Sequence, residues 1–461
     1  MNRRRFLKIA GAGSSALAAR AGARQMQAPP GAPANEKLPN FLFLLSDDQS
    51  VPDLSCYGNQ ALHTPHIDRL AREGMLFKSA FVTAPSCSPS RSSILTGRYA
   101  HSTGTARFHA PLPADQKTIL ASLKARGYFT GAFKKVHLGE KFWSRWDFQG
   151  KNKEFSTFFE ARPKDRPFYL HVGFHDPHRP YFPREFSPAV KQREIRVPDY
   201  LPNTKGVRGD LAHYCDEIER LDRNIGKLLD LLEREGLAEN TLVIFTSDNG
   251  LPFPGAKGTL YDPGLHVPML ARWPGVIEPG RTTADLISLL DLAPTWLEAA
   301  GIAVPQIMAG RSFLPLLRGG KFQPRNAIFA ERNYHTHLDL IRAVRTTRFK
   351  LIQNYMPLRS YRPLSDIARS TSWHSIEDLH EAGKLAPALE QRYFAKPRPM
   401  VELYDLEQDP GETHNLSADP AQAATVKELQ ERLSRWMTRT NDFLPPPTEN
   451  LEPGYAEEES R

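Results

Sequence analysis

Cysteine is scarce in this chain of 461 residues: Cys56, Cys87 and Cys215 are the only three. Three thiols cannot all pair, and no Cys-x-x-Cys spacing occurs, so a disulfide scaffold and a thiolate zinc site are both excluded. A bridge between Cys56 and Cys215 is open to an exported protein, and it would leave Cys87 over. Long apolar runs are missing too. No stretch of about 18 apolar residues occurs, which excludes a multi-span membrane protein. Repeats and low-complexity tracts are absent, so the chain is neither collagen-like nor a coiled coil. A lasting excess of one charge is also absent. The net charge is +8, but the first 24 residues supply six of those charges (Arg3, Arg4, Arg5, Lys8, Arg20, Arg24) with no acid, leaving +2 for the rest. That balance gives no argument for nucleic acid, though a local pocket for an anion remains open. The remaining composition, 40% hydrophobic and 24% charged, is that of a globular protein with ample chain for a core.

The N-terminus reads as an address. Arg3-Arg4-Arg5-Phe6-Leu7-Lys8 fits a twin-arginine export pattern. A weakly apolar stretch from Ile9 to Ala19 follows, and Ala21-Gly22-Ala23 offers small residues for cleavage. The stretch is too short and too rich in Gly and Ser to span a bilayer. Residues 1–35 are therefore expected to be a signal peptide and linker. The expected location is the bacterial periplasm or exterior, with the twin-arginine machinery as a partner and no stable membrane anchor. A Pro-rich acidic tail over 445–461 is expected to be disordered.

Four segments share one design: an apolar strand that ends in polar residues. Phe41–Leu45 runs into Ser46-Asp47-Asp48, and Phe129–Phe133 runs into Lys134-Lys135-Val136-His137. Phe168–Phe174 runs into His175-Asp176-Pro177-His178, and Thr241–Phe245 runs into Thr246-Ser247-Asp248-Asn249-Gly250. Near-continuous apolar strands are buried on both faces, as in parallel sheets, and open α/β sheets bind ligands at the carboxyl ends of their strands. The four polar clusters can therefore converge on one edge. Between them, Ile67, Leu70 and Ala71 fit one helix face. Ile218, Leu221, Ile225, Leu228 and Leu232 predict a helix over 211–235 stopped by Gly236, and a second apolar-faced helix covers 291–300. Beyond about residue 325 the pattern changes to alternation in Ile341–Arg345 and Phe349–Ile352. A polar stretch over 359–399, a strand at Val401–Tyr404 and a helix over 420–438 follow. The expected division is a catalytic α/β domain at 36–325 and a smaller α+β subdomain with an antiparallel sheet at 326–444.

The most specific string is Cys87-Ser88-Pro89-Ser90-Arg91, continued by Ser92-Ser93-Ile94-Leu95-Thr96-Gly97-Arg98. Ser90–Thr96 is expected to form a short helix stopped by Gly97, with Cys87 just ahead of it, where free N–H groups favour an anion. Arg91 adds a permanent positive charge. Asp47, Asp48, Asp248 and Asn249 offer hard oxygen ligands suited to Ca²⁺ or Mg²⁺ rather than zinc. The string resembles the signature C-x-P-S-R followed by L-x-T-G-R of the sulfatase family, in which the cysteine is oxidised to formylglycine. Lys135-Val136-His137-Leu138-Gly139 matches that family's Lys-x-His-x-Gly, and His175–Pro180 resembles its His-x-Pro element. The resemblance spans residues 40 to about 440. Within the family, Phe174–Arg179, Leu201–Thr204, Asn240–Gly250 and Glu402–Asp405 resemble the heparan N-sulfatase (sulfamidase) branch.

The resemblance implies an alkaline-phosphatase-like sandwich and a hydrolase of sulfated saccharides, with heparan-type N-sulfoglucosamine as the substrate. It implies one divalent cation, calcium foremost, held by Asp47, Asp48, Asp248, Asn249 and the oxidised Cys87. A formylglycine-generating enzyme would be a partner. By the same resemblance, Cys87 becomes an aldehyde whose hydrate attacks sulfur, helped by Arg91. Lys135 and Lys257 neutralise the sulfate, His178 protonates the leaving atom, and His137 takes a proton as sulfate is expelled. His175 is a supporting group. Arg107, His109, His335 and His337 are candidates for the sugar. Two departures leave N-sulfate and O-sulfate both open. The sulfamidase branch has arginine where Lys257 stands, and many sulfatases have arginine where His266 stands. The rivals are an O-sulfatase or arylsulfatase, a phosphonate or phosphate monoester hydrolase of the same superfamily, and a secreted binder of sulfated glycans.

Overall fold

A computed structural model describes residues 37–150, 154–181 and 195–442. The expected signal segment and acidic tail lie outside the described residues. The strands are β1 Asn40–Ser46, β2 Met75–Phe77, β3 Ala80–Phe81, β4 Phe129–Lys134, β5 Phe148–Gly150, β6 Phe168–Gly173 and β7 Thr241–Ser247. They continue as β8 Met269–Arg272, β9 Arg281–Thr283, β10 Ile287–Ser288, β11 Ile328–Tyr334, β12 Leu338–Arg345, β13 Phe349–Asn354 and β14 Val401–Asp405. Among the described residues they form an eight-stranded sheet in the order β5-β4-β6-β1-β7-β8-β2-β9 and a four-stranded sheet in the order β11-β12-β13-β14. A small pair joins β10 to β3.

The centre of the large sheet is parallel. β1 pairs in parallel with β6 and β7, and β6 with β4. Only beyond β7 does β8 turn antiparallel. The apolar runs explain this centre. In β1, Phe41, Phe43 and Leu45 enter one core with Trp296, while Leu42 and Leu44 enter the other with Ile218 and Leu221. Both faces are covered by helices, so neither set of side chains meets water. The helices used below are α1 Pro65–Arg72, α2 Cys87–Thr96, α3 Lys205–Arg234, α4 Leu292–Ala299, α5 Ser365–Ala368, α6 Thr371–Glu381, α7 Pro387–Phe394 and α8 Ala423–Thr440. The long α3 covers one face through Ile218, Leu221, Ile225 and Leu228. Trp296 of α4 and Ile94 and Leu95 of α2 cover the other. The small sheet is antiparallel throughout. Its Val344, Leu351 and Leu403 pack on Leu429, Leu433 and Trp436 of α8.

Three expectations need correction. Helix α2 begins at Cys87 rather than Ser90. Ser86 is extended (φ −158°, ψ 139°), its carbonyl accepts from the Ser90 amide at 3.0 Å, and Pro89 falls in the first turn, where its missing N–H costs nothing. The stretch 359–399 is not merely polar loop: it contains α5, α6 and α7. Their buried residues are few (Ile367, Ser372, Trp373, Ile376, Leu389, Tyr393), so the helical period is faint. The bridge left open for Cys56 and Cys215 is not formed: both are free thiols, Cys215 buried and Cys56 half-buried. Helix α3 also starts earlier than its apolar period suggests, because the Thr204 side chain caps it by accepting from the Val207 amide at 3.1 Å.

Candidate active site

Register brings the polar clusters together. Leu45 lies opposite Gly173 on one side and Thr246 on the other, and Lys134 also pairs with Gly173. The chain therefore leaves β4, β6, β1 and β7 at the same level, and Lys135, His178, Asp47–Asp48 and Asp248–Asn249 share one edge. Glycine at 173 is a requirement of this packing. A Cβ there would lie 2.1 Å from the Lys135 carbonyl oxygen and 3.0 Å from Arg91 Nη1. Asp48, His109 and His137 hold left-handed backbone, with φ of 69°, 61° and 60°. For residues other than glycine this conformation is uncommon and clusters at functional sites.

Cys87 occupies the first turn of α2 and has 0% exposure. Its thiol lies 3.4 Å from Asp47 Oδ1, 3.9 Å from Asp48 Oδ1 and 3.8 Å from Lys135 Nζ. Lys135 Nζ donates to Asp47 Oδ2 at 2.6 Å. Beneath them Arg91 is wholly buried: its Nε donates to Asp248 Oδ2 at 2.7 Å and its Nη1 to the Lys135 carbonyl. Lys257 Nζ donates to Asp48 Oδ2 at 2.7 Å and to Asp366 Oδ2 at 3.1 Å. His178 Nε2 is 3.7 Å from Asp48 Oδ2 and 4.0 Å from Asp366 Oδ2, while its Nδ1 pairs with the Arg179 carbonyl.

These contacts set the charges. Burial alone would push Asp47 up, but Lys135, His178, Arg91 and Lys257 hold its carboxyl well below the ordinary range. Burial carries Asp48 up to about 6 against the pull of Lys257, and Asp248 up to about 6 against that of Arg91. Burial also lifts the Cys87 thiol well above its ordinary value. His178 is held down at about 4 by burial and by the Lys257 and Lys135 charges. His137 is lowered by burial, Lys135 and His109.

The donor set fits a hard divalent cation. Asp47, Asp48, Cys87 and His178 each offer a ligand atom within 4.8 Å of the others. The Asn249 side-chain oxygen is buried without a partner, and its Nδ2 donates to Asp48 Oδ1 at 2.7 Å. A buried carbonyl left without a donor is costly unless a cation or water meets it. Two carboxyls lifted by burial are likewise what a cation would bring back down. Asp248 lies outside that group of four: its Oδ2 accepts from Arg91 and its Oδ1 from the Asp48 amide at 3.2 Å, each oxygen keeping a lone pair that a cation could take.

Lys135, His137, His175, His178 and Asp366 line a cavity of about 980 Å³ beside this cluster. One wall is aromatic: Phe108 stacks on His335 with centroids 3.7 Å apart, and His109 Nδ1 meets His137 Nε2 at 2.8 Å. Of the four sugar candidates, His109 lines the cavity. His335 packs behind Phe108, Arg107 pairs with Tyr334, and His337 bonds Arg332, none of them in the lining. His266 stacks on Phe81 and bonds the Lys78 carbonyl, away from the cavity. Asp366 escaped sequence reasoning, because a single acid in Leu364-Ser365-Asp366-Ile367 carries no motif. Burial would raise its carboxyl, but Lys257, His178 and His335 hold it below the ordinary range.

The Sulfatase family model matches residues 39–161 and 152–302. A second model, described as N-sulphoglucosamine sulphohydrolase, C-terminal, matches 256–393. An ulvan-active sulfatase of Formosa agariphila is 32% identical over 424 residues, covering 88% of this chain and 81% of the relative. The human N-sulphoglucosamine sulphohydrolase is 32% identical over 468 residues, covering 87% and 90%. The solved structure of BT4656 in complex with its substrate D-glucosamine-2-N,6-O-disulfate superposes with a TM-score of 0.71 at 22% identity, over 90% of this chain and 100% of that one. A phosphonate monoester hydrolase from Silicibacter pomeroyi superposes with a TM-score of 0.68 at 19% identity, over 87% and 96%. Those two likenesses show a common fold. The signature at Cys87, the sheet edge that carries its partners and the match across both models make this chain a member of the sulfatase family, hydrolases of sulfate esters and sulfamates.

Proposed function

We propose that the protein removes sulfate from a sulfated saccharide, with heparan-type N-sulfoglucosamine as its substrate. One observation carries the reading. Cys87 stands at a helix N-terminus within 3.9 Å of two carboxylates and of Lys135, and Lys135 and His178 in turn line a cavity large enough for a sugar. The catalytic portion is residues 36–325, and the subdomain at 326–444 completes the cavity wall. The signal at 1–35 would deliver the enzyme to the periplasm or exterior. Among the described residues no helix is long and apolar enough to cross a membrane.

Asp47, Asp48, Asp248 and Asn249 would hold one divalent cation, calcium or magnesium, which when bound lowers the cost of negative charge at position 87 and on sulfate. Formylglycine at that position, made by a dedicated modifying enzyme, would supply the hydrated aldehyde as nucleophile. Lys135 and Lys257 meet the sulfate oxygens, an electrostatic contribution of the kind that dominates such transfers. Arg91 fixes Asp248 and the Lys135 carbonyl from below. His178, with Nδ1 committed to the Arg179 carbonyl, presents Nε2 to the leaving atom. His178 is depressed first by burial and then by the Lys257 and Lys135 charges, and a bound sulfate would offset the lysine part and so favour the protonated acid. His137, whose Nδ1 is buried without a partner, is the group to hold the second proton.

The deciding experiment is product analysis on defined heparan disaccharides carrying N-, 2-O- or 6-O-sulfate, with a phosphate monoester in parallel. Release of the N-sulfate is the expected result, and preference for the phosphate ester would refute it. The intact mass of the Cys87 peptide separates an enzyme from a glycan binder. Lys257, in place of the arginine of the sulfamidase branch, favours a second reading, O-sulfate hydrolysis, which the same products would reveal.

A further inference from the structure

Asp366 is an anion where the proposed substrate is also an anion, and this mismatch calls for a physical account. Its Oδ1 accepts from the Ile367 amide at 3.0 Å, which pins the carboxylate at the start of α5. Its Oδ2 points the other way, 3.1 Å from Lys257 Nζ and 4.0 Å from His178 Nε2. The side chain is 10% exposed and lines the cavity. Lys257 already has a closer carboxylate in Asp48, at 2.7 Å, so neutralising that lysine does not require a second one. An ionised carboxylate only accepts hydrogen bonds. A sulfate oxygen would be repelled from it, so the substrate atom that faces it must be a donor.

His178 marks which atom that is. The group that receives a proton from Nε2 lies within hydrogen-bond reach of it, and because Asp366 Oδ2 is only 4.0 Å from Nε2, an atom seated between the two can bond both. The two kinds of sulfated sugar differ at this atom. A sulfamate nitrogen carries a hydrogen before the reaction, gains positive charge as it takes the proton of His178 while the S–N bond breaks, and leaves as a neutral amine with two hydrogens, which only a further proton from water makes an ammonium. A sulfate-ester bridging oxygen carries none before and becomes a neutral hydroxyl. A carboxylate here gains a charge-assisted bond that strengthens as the S–N bond breaks, and it gains little from an ester.

We propose that Asp366 is a specificity-determining residue for N-sulfate: it accepts the N–H of the scissile sulfamate and holds the amine as it leaves. This rests on the N-sulfoglucosamine reading above. The electron pair of the S–N bond stays on nitrogen, nitrogen takes the proton of His178, and the sulfuryl group passes to the nucleophile at position 87. Asp366 forms and breaks no covalent bond.

The test compares wild type, Asp366→Asn and Asp366→Glu on N-sulfoglucosamine and on 6-O-sulfated N-acetylglucosamine, with kcat and KM resolved. Asp366→Asn should lower the N-to-O ratio of kcat/KM by about a hundredfold, chiefly through kcat, and Asp366→Glu should restore part of it. Product inhibition by glucosamine should weaken in Asp366→Asn, while that by N-acetylglucosamine should not. Equal losses on both substrates, or an unchanged ratio, would overturn this role while leaving the N-sulfate reading intact. A wild type that cleaves only O-sulfates would overturn both.

Discussion

Cys87 and Lys257 make the sharpest demands at the scale of single residues. Both are buried: Cys87 lies beside Asp47 and Asp48, and Lys257 is held by Asp48 and Asp366, whose carboxyls it pulls down. Cys87→Ser leaves packing nearly unchanged, since one small polar atom replaces another. The variant should melt with the wild type yet show no turnover. Intact mass after incubation with substrate should reveal a retained sulfate, because a serine ester has no second hydroxyl to expel it. Lys257→Ala removes one cation from Asp48 and Asp366 and, on the function proposed above, one partner from the sulfate. Steady-state kinetics should show kcat/KM falling by about 10²–10³, the usual scale for a preorganised electrostatic contact. These residues were legible in the sequence because short strings fix their spacing. Cys87 and Arg91 lie one helical turn apart, and Lys135 and His137 follow directly on a strand. Asp366 was not, since its role comes from a long-range approach to Lys257 that no local pattern encodes.

Elements tell a similar story. The central strands could be read directly because both their faces are buried, which leaves unbroken apolar runs. Helices α5, α6 and α7 could not, because each buries only one to three residues against the rest. The C-terminal helix α8 is tied down chiefly by Trp436, which stacks on Phe329 with centroids 5.3 Å apart and meets Tyr99 edge-on. Trp436→Ala should cost about 3–5 kcal/mol in urea unfolding. The small sheet is joined to the segment after α2 by His101, whose Nδ1 lies 2.9 Å from Glu331 Oε1. Burial alone would raise Glu331, but His101 and Arg342 hold it at about 2, below its ordinary 4.5. Its stabilising contribution is therefore complete above pH 4.5 and is lost as pH falls through about 2. His101 is lowered by burial but raised overall by Glu331, so its share is complete below pH 6.5 and fades as pH rises through its folded value. The stability advantage of wild type over Glu331→Gln should shrink steadily in unfolding curves taken from pH 5 down to 2.5.

For the whole molecule, the cluster of Asp47, Asp48 and Asp248 concentrates negative charge at the meeting point of strands that are distant in sequence. A cation bound there ties the native state together and has no comparable site in the unfolded chain. Calcium at a hundredfold excess over its Kd should add about 2.7 kcal/mol of stability, read as a rise in Tm that EDTA reverses. An identical melt with and without calcium would count against a site of that strength.

The same compactness imposes an order of events. The sulfur of Cys87 has no exposed surface, and it is enclosed by segments that lie both before and long after it in the chain. A macromolecular oxidant the size of an enzyme cannot reach it in the finished protein. If position 87 is to carry an aldehyde, the conversion must happen while the polypeptide is still open. Maturation is then a race against folding, and variants that fold faster or expression hosts that oxidise more slowly would accumulate a well-formed but inert thiol form.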